Sequence, residues 1–400
     1  MAQIILLIAI LALFLSPASC RPVDGSQSLL PTTTLALSVL PTPTKITPTL
    51  QLSPDPRTDC RIRYPSAPLD RENWPTNEWK VSSLEEHCLD SEKVEKAAWY
   101  FENNFATSSL LIVRHGELVY EKYFNSYNKP DWPVPIFSVT KSVLSALVGI
   151  AITQGALDSL DHKVIEYFPE YFNPHTDPRM AQVTLHDLLT MSSGFNWIED
   201  SQIEDRWMAT GNLVESAINL EFSDQPGTTF TYSSANTQLL AAILTKIVGE
   251  PLRDYAQRNL FLPLGISRRL WNWSMDDQGY YIGGFGMDLR PQDLARFGYL
   301  YLNQGYWDGK QIISPDWIQQ STSTQIQTGF GKEYGYLWWI RPGEGESAFQ
   351  AIGYGGQSIY IFPDLDMVVV VTGRVSTGGG GAPDPDPIIH EWIEKAVTDR

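Results

Sequence analysis

Cysteine is scarce in this 400-residue chain: Cys20, Cys60 and Cys88 are all there is, beside six scattered histidines. None of them falls into the Cys/His spacing of a zinc site. Basic residues are also in short supply, 29 Lys and Arg against 46 Asp and Glu, for a formal charge of −17, and they form no run. A phosphate backbone demands a concentrated basic surface, so nucleic acid is excluded as a partner. The acidity suits the solubility of an exported protein. The chain has no G-x-S-x-G elbow. The glycines 378–381 are not followed by the Lys-Ser/Thr of a phosphate cradle, so they read as a loop. No internal repeat stands out.

Apolar residues are plentiful, at 43% of the chain with 12% aromatic, ample for a real core. The opening MAQIILLIAILALFLSPASC (1–20) is an apolar run ending in small residues, too short for a comfortable membrane span. It reads as a secretory signal without the usual basic start. Cys20 follows Pro-Ala-Ser, which leaves two outcomes open: a lipid-anchored cysteine that tethers the protein to a membrane, or plain cleavage. Residues 21–58 are rich in Pro and Thr and read as an extended tether. A folded domain is then expected over 59–400, exported to the cell envelope or secreted. In such a setting Cys60 and Cys88 most simply pair, a loop closure that contributes about 3–4 kcal/mol.

Along that domain, 91–104 has helical spacing behind Ser91, and 108–124 reads as a hairpin turning at His115-Gly116. Helices are expected at about 138–154, 234–249, 291–305 and 387–397. Strand-like runs are YGYLWWI (334–340), SIYIF (358–362), read as an exposed edge strand behind a glycine-rich turn, and MVVVVTG (367–373). Strands therefore bracket a largely helical middle. This predicts an α/β (α+β) fold with an antiparallel sheet flanked by helices, a mostly helical second lobe, and a cleft between them.

Within FSVTKSVLSALVGIA (137–151), Ser138 and Lys141 are three apart and share a helix face. Ser138 lies at the helix start, where unpaired N–H groups and the dipole favour negative charge. An unprotonated Lys141 there would take the serine proton, the Ser–Lys form of an activated nucleophile. The alternative is an N-terminal cap with Lys141 extended to solvent. A second S-x-x-K, Ser126 to Lys129, precedes Pro130 and falls in a turn, so it is set aside. FTYSSAN (230–236) places Tyr232 between the Pro226-Gly227 breaker and a helix. AIGYGGQSIYIFPD (351–364) offers glycines that let a carbonyl approach backbone N–H groups, or simply a tight turn. Trp271, Trp273, Trp338 and Trp339 are candidates for an acyl pocket or for the core.

Taken in order, these stretches resemble the serine β-lactamase and penicillin-binding superfamily. GALDSLDHKVIEYFPEY (155–171), VTLHDLLTMSSGF (183–195), LFLPLGI (260–266) and GGFGMDLRPQDLARFGYLYLNQGYWDGKQIIS (283–314) extend the resemblance over about 92–400. It is to class C β-lactamase-like serine hydrolases, and among them to the 6-aminohexanoate-dimer hydrolase and esterase branch. The resemblance implies cleavage of a small-molecule ester or amide through an acyl-enzyme, with no metal or organic cofactor. Ser138 would be the nucleophile, Lys141 its proton acceptor, and Tyr232 the donor to the leaving group. The oxyanion donors would be the backbone N–H groups of Ser138 and Tyr354, with a register shift to Gly355 or Gly356 left open. Gly353 and Gln357 would lie at the substrate. Two departures stand out: Ser234 sits where the second motif has Asn, with Asn236 two residues on, and Ala351 replaces the Lys or His of the third. Losing that cation removes a contact to a substrate carboxylate. A penicillin-recognising D,D-carboxypeptidase or β-lactamase is therefore the first rival, and a catalytically inactive surface binding protein the second.

Overall fold

The run TSSLLIVR has no polar face to offer water, and strand β1 (Thr107–Arg114) is buried at all eight positions. In the computed structural model, residues 71, 73–104, 106–124, 130–341, 348–374 and 384–398 are described. The expected leader and tether, Cys20, Cys60, the set-aside Ser126–Lys129 pair and the glycines 378–381 lie outside them.

β1 turns into β2 (Glu117–Tyr123) through His115 and Gly116, whose φ values of 51° and 81° suit a tight hairpin turn. The remaining strands of the sheet are β3 (Ile326–Gln327), β4 (Glu333–Tyr334), β5 (Trp339–Arg341), β6 (Ala348–Gly353), β7 (Gln357–Phe362) and β8 (Met367–Gly373). They form one eight-stranded sheet in the order β2-β1-β8-β7-β6-β5-β4-β3, and every pairing is antiparallel. Side chains alternate faces along a strand. Leu111, Val113, Val368 and Val370 accordingly join one core, and Leu110, Ile112, Val369 and Val371 join another. Both faces are covered, which is why these runs are continuously apolar.

Helix α1 (Ser91–Asn104) and the helical run 386–396 cover one face. The other face carries α2 (Val139–Thr153) and α4 (Pro291–Leu302), and α2 packs in turn on α3 (Ser234–Val248). Short helices between 164 and 218 build the second lobe around α3. A small three-stranded sheet of Val134–Pro135, Met287–Leu289 and Asn272–Trp273 lies beside the entry to α2.

Two expectations about strands need correction. YGYLWWI is not one strand: it breaks between β4 and β5, where Leu337 takes φ 62°. SIYIF is not an edge. β7 lies between β6 and β8 and is buried at all six positions, because both of its neighbours arrive from hairpins.

Candidate active site

Ser138 stands at the N-cap position of α2 with φ −67° and ψ −7°, and its side chain makes no capping bond. The residue before it, Phe137, has φ 46°, a left-handed conformation that a bulky side chain adopts only under constraint. One turn on, Lys141 is 1% exposed, so it does not extend to solvent. Its Nζ instead donates to Ser138 Oγ at 3.1 Å, Ser234 Oγ at 3.1 Å and the Gly284 carbonyl at 2.8 Å. A buried ammonium has three donors, and three acceptors are present.

Tyr232 arrives from the loop before α3. Its ring stacks on Trp339 at 5.6 Å and 25°, and Lys141 Nζ lies 4.8 Å from the ring centroid. Burial pushes the phenol upward, while the Lys141 charge and hydrogen bonding to Ser138 and Lys141 pull it down. The hydroxyl, amine and phenol singled out in the sequence thus converge, although more than ninety residues separate Lys141 from Tyr232 along the chain.

The hydroxyl and the phenol line an open cavity of ≈ 640 Å³ together with Phe137, Phe285, Trp339, Ile352, Gly353 and Tyr354. Glu199, Asp200, Glu204, Asp205 and Met208 complete the lining. Among the described residues, the charged lining side chains are all carboxylates. Glu204 is pushed up to about 6, first by burial and then by the nearby Glu199 and Asp200 charges.

Glu199 is the residue that sequence reasoning missed. Its Oε2 accepts from Ser234 N at 2.9 Å and Trp197 Nε1 at 2.6 Å, and its Oε1 accepts from Ser234 Oγ. Oε1 also lies 3.7 Å from Lys141 Nζ. The Trp197 ring is fixed edge-on against Trp207 at 5.4 Å. No motif marks Glu199, because it sits in a loop 35 residues before Ser234. Gly284 was likewise unmarked, since it contributes a carbonyl and no side chain.

On the sheet side, Gly353 ends β6 directly against the start of α2. Tyr354 is 39% exposed, lines the cavity and packs edge-on against Phe137 at 5.8 Å. Gln357 does not face the cavity. It is wholly buried, with its amide NH₂ donating to Gly373 O at 2.7 Å and its amide oxygen accepting from Gly373 N at 3.2 Å. It braces β7 against the end of β8, because an amide there completes two backbone partners. Asn236 is also occupied elsewhere, accepting from Ser193 Oγ at 2.7 Å. Ser234, two residues after Tyr232, is the one that meets Lys141. Of the four tryptophans, Trp339 lines the cavity, while Trp271, Trp273 and Trp338 belong to the core.

A profile of the Beta-lactamase family matches residues 83–390, most of the chain. The chain belongs to this family. It is a serine hydrolase of the β-lactamase type. The 6-aminohexanoate-dimer hydrolase of Paenarthrobacter ureafaciens is 27% identical over 311 residues, covering 72% of this chain and 75% of that one. The octameric penicillin-binding protein homologue from Pyrococcus abyssi superposes with a TM-score of 0.57 at 23% identity, covering 75% and 76%. The hydrolase EstCE1, described as having promiscuous acyltransferase activity, gives a TM-score of 0.62 at 17% identity, covering 77% and 98%. These two share the fold with the chain.

Proposed function

We propose that this hydrolase cleaves a small-molecule ester or amide through an acyl-enzyme on Ser138, as an exported protein related to 6-aminohexanoate-dimer hydrolases and esterases. The observation that carries the reading is the 3.1 Å contact between a buried amine, Lys141 Nζ, and an uncapped hydroxyl, Ser138 Oγ, at the wall of a cavity. Ser138 Oγ attacks the carbonyl carbon as its proton passes to Lys141. Backbone N–H groups of Ser138 and Tyr354 receive the developing oxyanion. Tyr232, kept protonated by burial, then donates to the leaving group and is re-protonated through Lys141. Gly353 leaves room for the substrate carbonyl to reach those donors.

Labelling with a fluorophosphonate probe, read by peptide mapping, is expected at Ser138 and abolished in Ser138→Ala. Retained turnover in that variant would reject the assignment. A parallel screen of p-nitrophenyl esters, short linear amides and nitrocefin separates the substrate classes.

The penicillin-recognising reading is supported by the family, but two features oppose it. Ala351 is fully buried and supplies no cation, and the charged side chains lining the cavity are carboxylates. Both disfavour a substrate carboxylate. Slow or absent nitrocefin hydrolysis beside rapid ester hydrolysis is the expected result.

The leader, the 21–58 tether, lipid at Cys20 and a Cys60–Cys88 disulfide complete the proposal. Cys88 is buried, with 2% of its surface exposed, which would shield such a bond from reductant. Fatty-acid labelling lost in Cys20→Ala tests the anchor, and non-reducing peptide mapping tests the disulfide.

A further inference from the structure

Beside the Tyr232 phenol, three oxygens lie within 3.1 Å of the Lys141 amine, and their chemistry differs. The Gly284 carbonyl can only accept. Ser234 Oγ has one proton, which it gives to Glu199 Oε1, so towards Lys141 it also can only accept. Ser138 Oγ is the third neighbour and makes no capping bond. In the deprotonated form that takes up the serine proton, this amine has only two N–H bonds and one lone pair, so it no longer donates to all three. Two obligate acceptors take the two N–H bonds, and the lone pair is left for the Ser138 hydroxyl. Without Glu199 the Ser234 hydroxyl is free to rotate and donate to Nζ, which would occupy that lone pair and turn an N–H towards the nucleophile.

From this geometry we infer that Glu199, acting through Ser234, is a positioning residue that aims the proton-accepting face of Lys141 at Ser138. The inference rests on the acyl-enzyme reading above. Glu199 fits the role because its own orientation is fixed on three sides, by Trp197 Nε1, Ser234 N and Ser234 Oγ. It also serves a second moment of the reaction. When Ser138 Oγ bonds to the carbonyl carbon and its proton moves to Nζ, the carbonyl π pair moves to oxygen and an ammonium forms. That ammonium then has Glu199 Oε1 3.7 Å away as counter-charge. The same carboxylate thus orients the amine before proton transfer and stabilises it afterwards. The Ser234 hydroxyl needs such a partner because its single proton can turn either way.

The test uses the full chain with a p-nitrophenyl ester, following kcat/KM against pH for Glu199→Gln, Ser234→Ala and the double variant. Each single variant is expected to lower the plateau by about ten- to a hundredfold, the loss of one hydrogen bond to a charged group. Residues acting as one unit lose activity once, so the double variant should be no worse than the poorer single. Removing the carboxylate charge makes the ammonium less favourable, so the acid limb of Glu199→Gln should move to lower pH. The limb reads the counter-charge on the ammonium, and the lack of additivity with Ser234→Ala reads the positioning. Should Glu199→Gln fail to fold, as judged by thermal melting, Ser234→Ala decides alone by its plateau.

The inference falls if both singles stay within about twofold of the parent with the limb unmoved, or if their losses multiply in the double variant. Fluorophosphonate labelling of Ser138 in the parent keeps the two levels apart. No labelling there rejects the acyl-enzyme reading itself, whereas normal labelling with indifferent variants rejects only the role of Glu199.

Discussion

Gly353 and Ser138 meet backbone to backbone: a Cβ at position 353 would lie 3.3 Å from Ser138 N and 2.4 Å from Ile136 O. The end of β6 is thereby pressed against the start of α2, and both residues line the cavity.

Gly353→Ala should therefore part the two elements by a few tenths of an ångström or more. The expected outcome is a loss of kcat/KM of about a hundredfold, comparable to disabling one oxyanion donor. Ester hydrolysis measures it, and a thermal melt distinguishes misplacement from unfolding. Unchanged activity would mean that the gap does not hold the reacting carbonyl.

Trp339 forms the wall on which Tyr232 stacks, and it also packs edge-on against Tyr334 at 4.9 Å. Trp339→Ala should raise KM and lower kcat together, since it removes both a cavity wall and the support of the phenol. Trp339→Phe should retain most of the activity. The lost aromatic pairing is worth about 1 kcal/mol beyond buried area, visible as a lower unfolding midpoint.

Glu204 carries a pH signature. Its folded value of about 6 lies above the ordinary 4.5. A carboxyl raised on folding supports the fold fully below the lower value and loses that support as pH rises through the higher one. Glu204→Gln should consequently stabilise the protein near neutrality and change little in acid. Because the side chain is only half-buried, solvent screening keeps the gain below about 1 kcal/mol. Urea titrations at the two pH values read the difference.

His115 has the opposite sign. Burial depresses it from 6.5 to about 4, and its Nδ1 faces His87 Nδ1 at 3.1 Å, a pair that cannot both carry a proton there. Its contribution is present above 6.5 and is lost as pH falls from there towards 4. His115→Asn tolerates the left-handed turn at this position and cannot titrate. It should flatten the acid limb of the stability profile by an amount on the order of 2 kcal/mol. An acid limb identical to the parent's would show that other groups govern it.

The residues differ in how openly the sequence declares them. Ser138, Lys141 and Tyr232 are legible because two share a helical repeat and the third follows a Pro-Gly breaker. The sheet is legible in β1 and β8, where apolar runs long enough to be buried on both faces admit few other arrangements. Glu199 and Gly284 are not, since one lies in a loop without periodicity and the other acts through its backbone. Gln357 illustrates the converse. Its position in the chain suggests the substrate, but strand alternation turns its amide inwards to Gly373.

Chain order and spacing by themselves determined the family, the antiparallel sheet and the pairing of Ser138 with the Lys141 amine, because these depend on local periodicity and on short motifs. Which acid meets that amine, which tryptophan faces the cavity, and the single sign of charge around it were decided only by the tertiary structure. Such contacts join residues tens to hundreds of positions apart, and their partners are fixed by packing and burial, which no stretch of sequence carries alone.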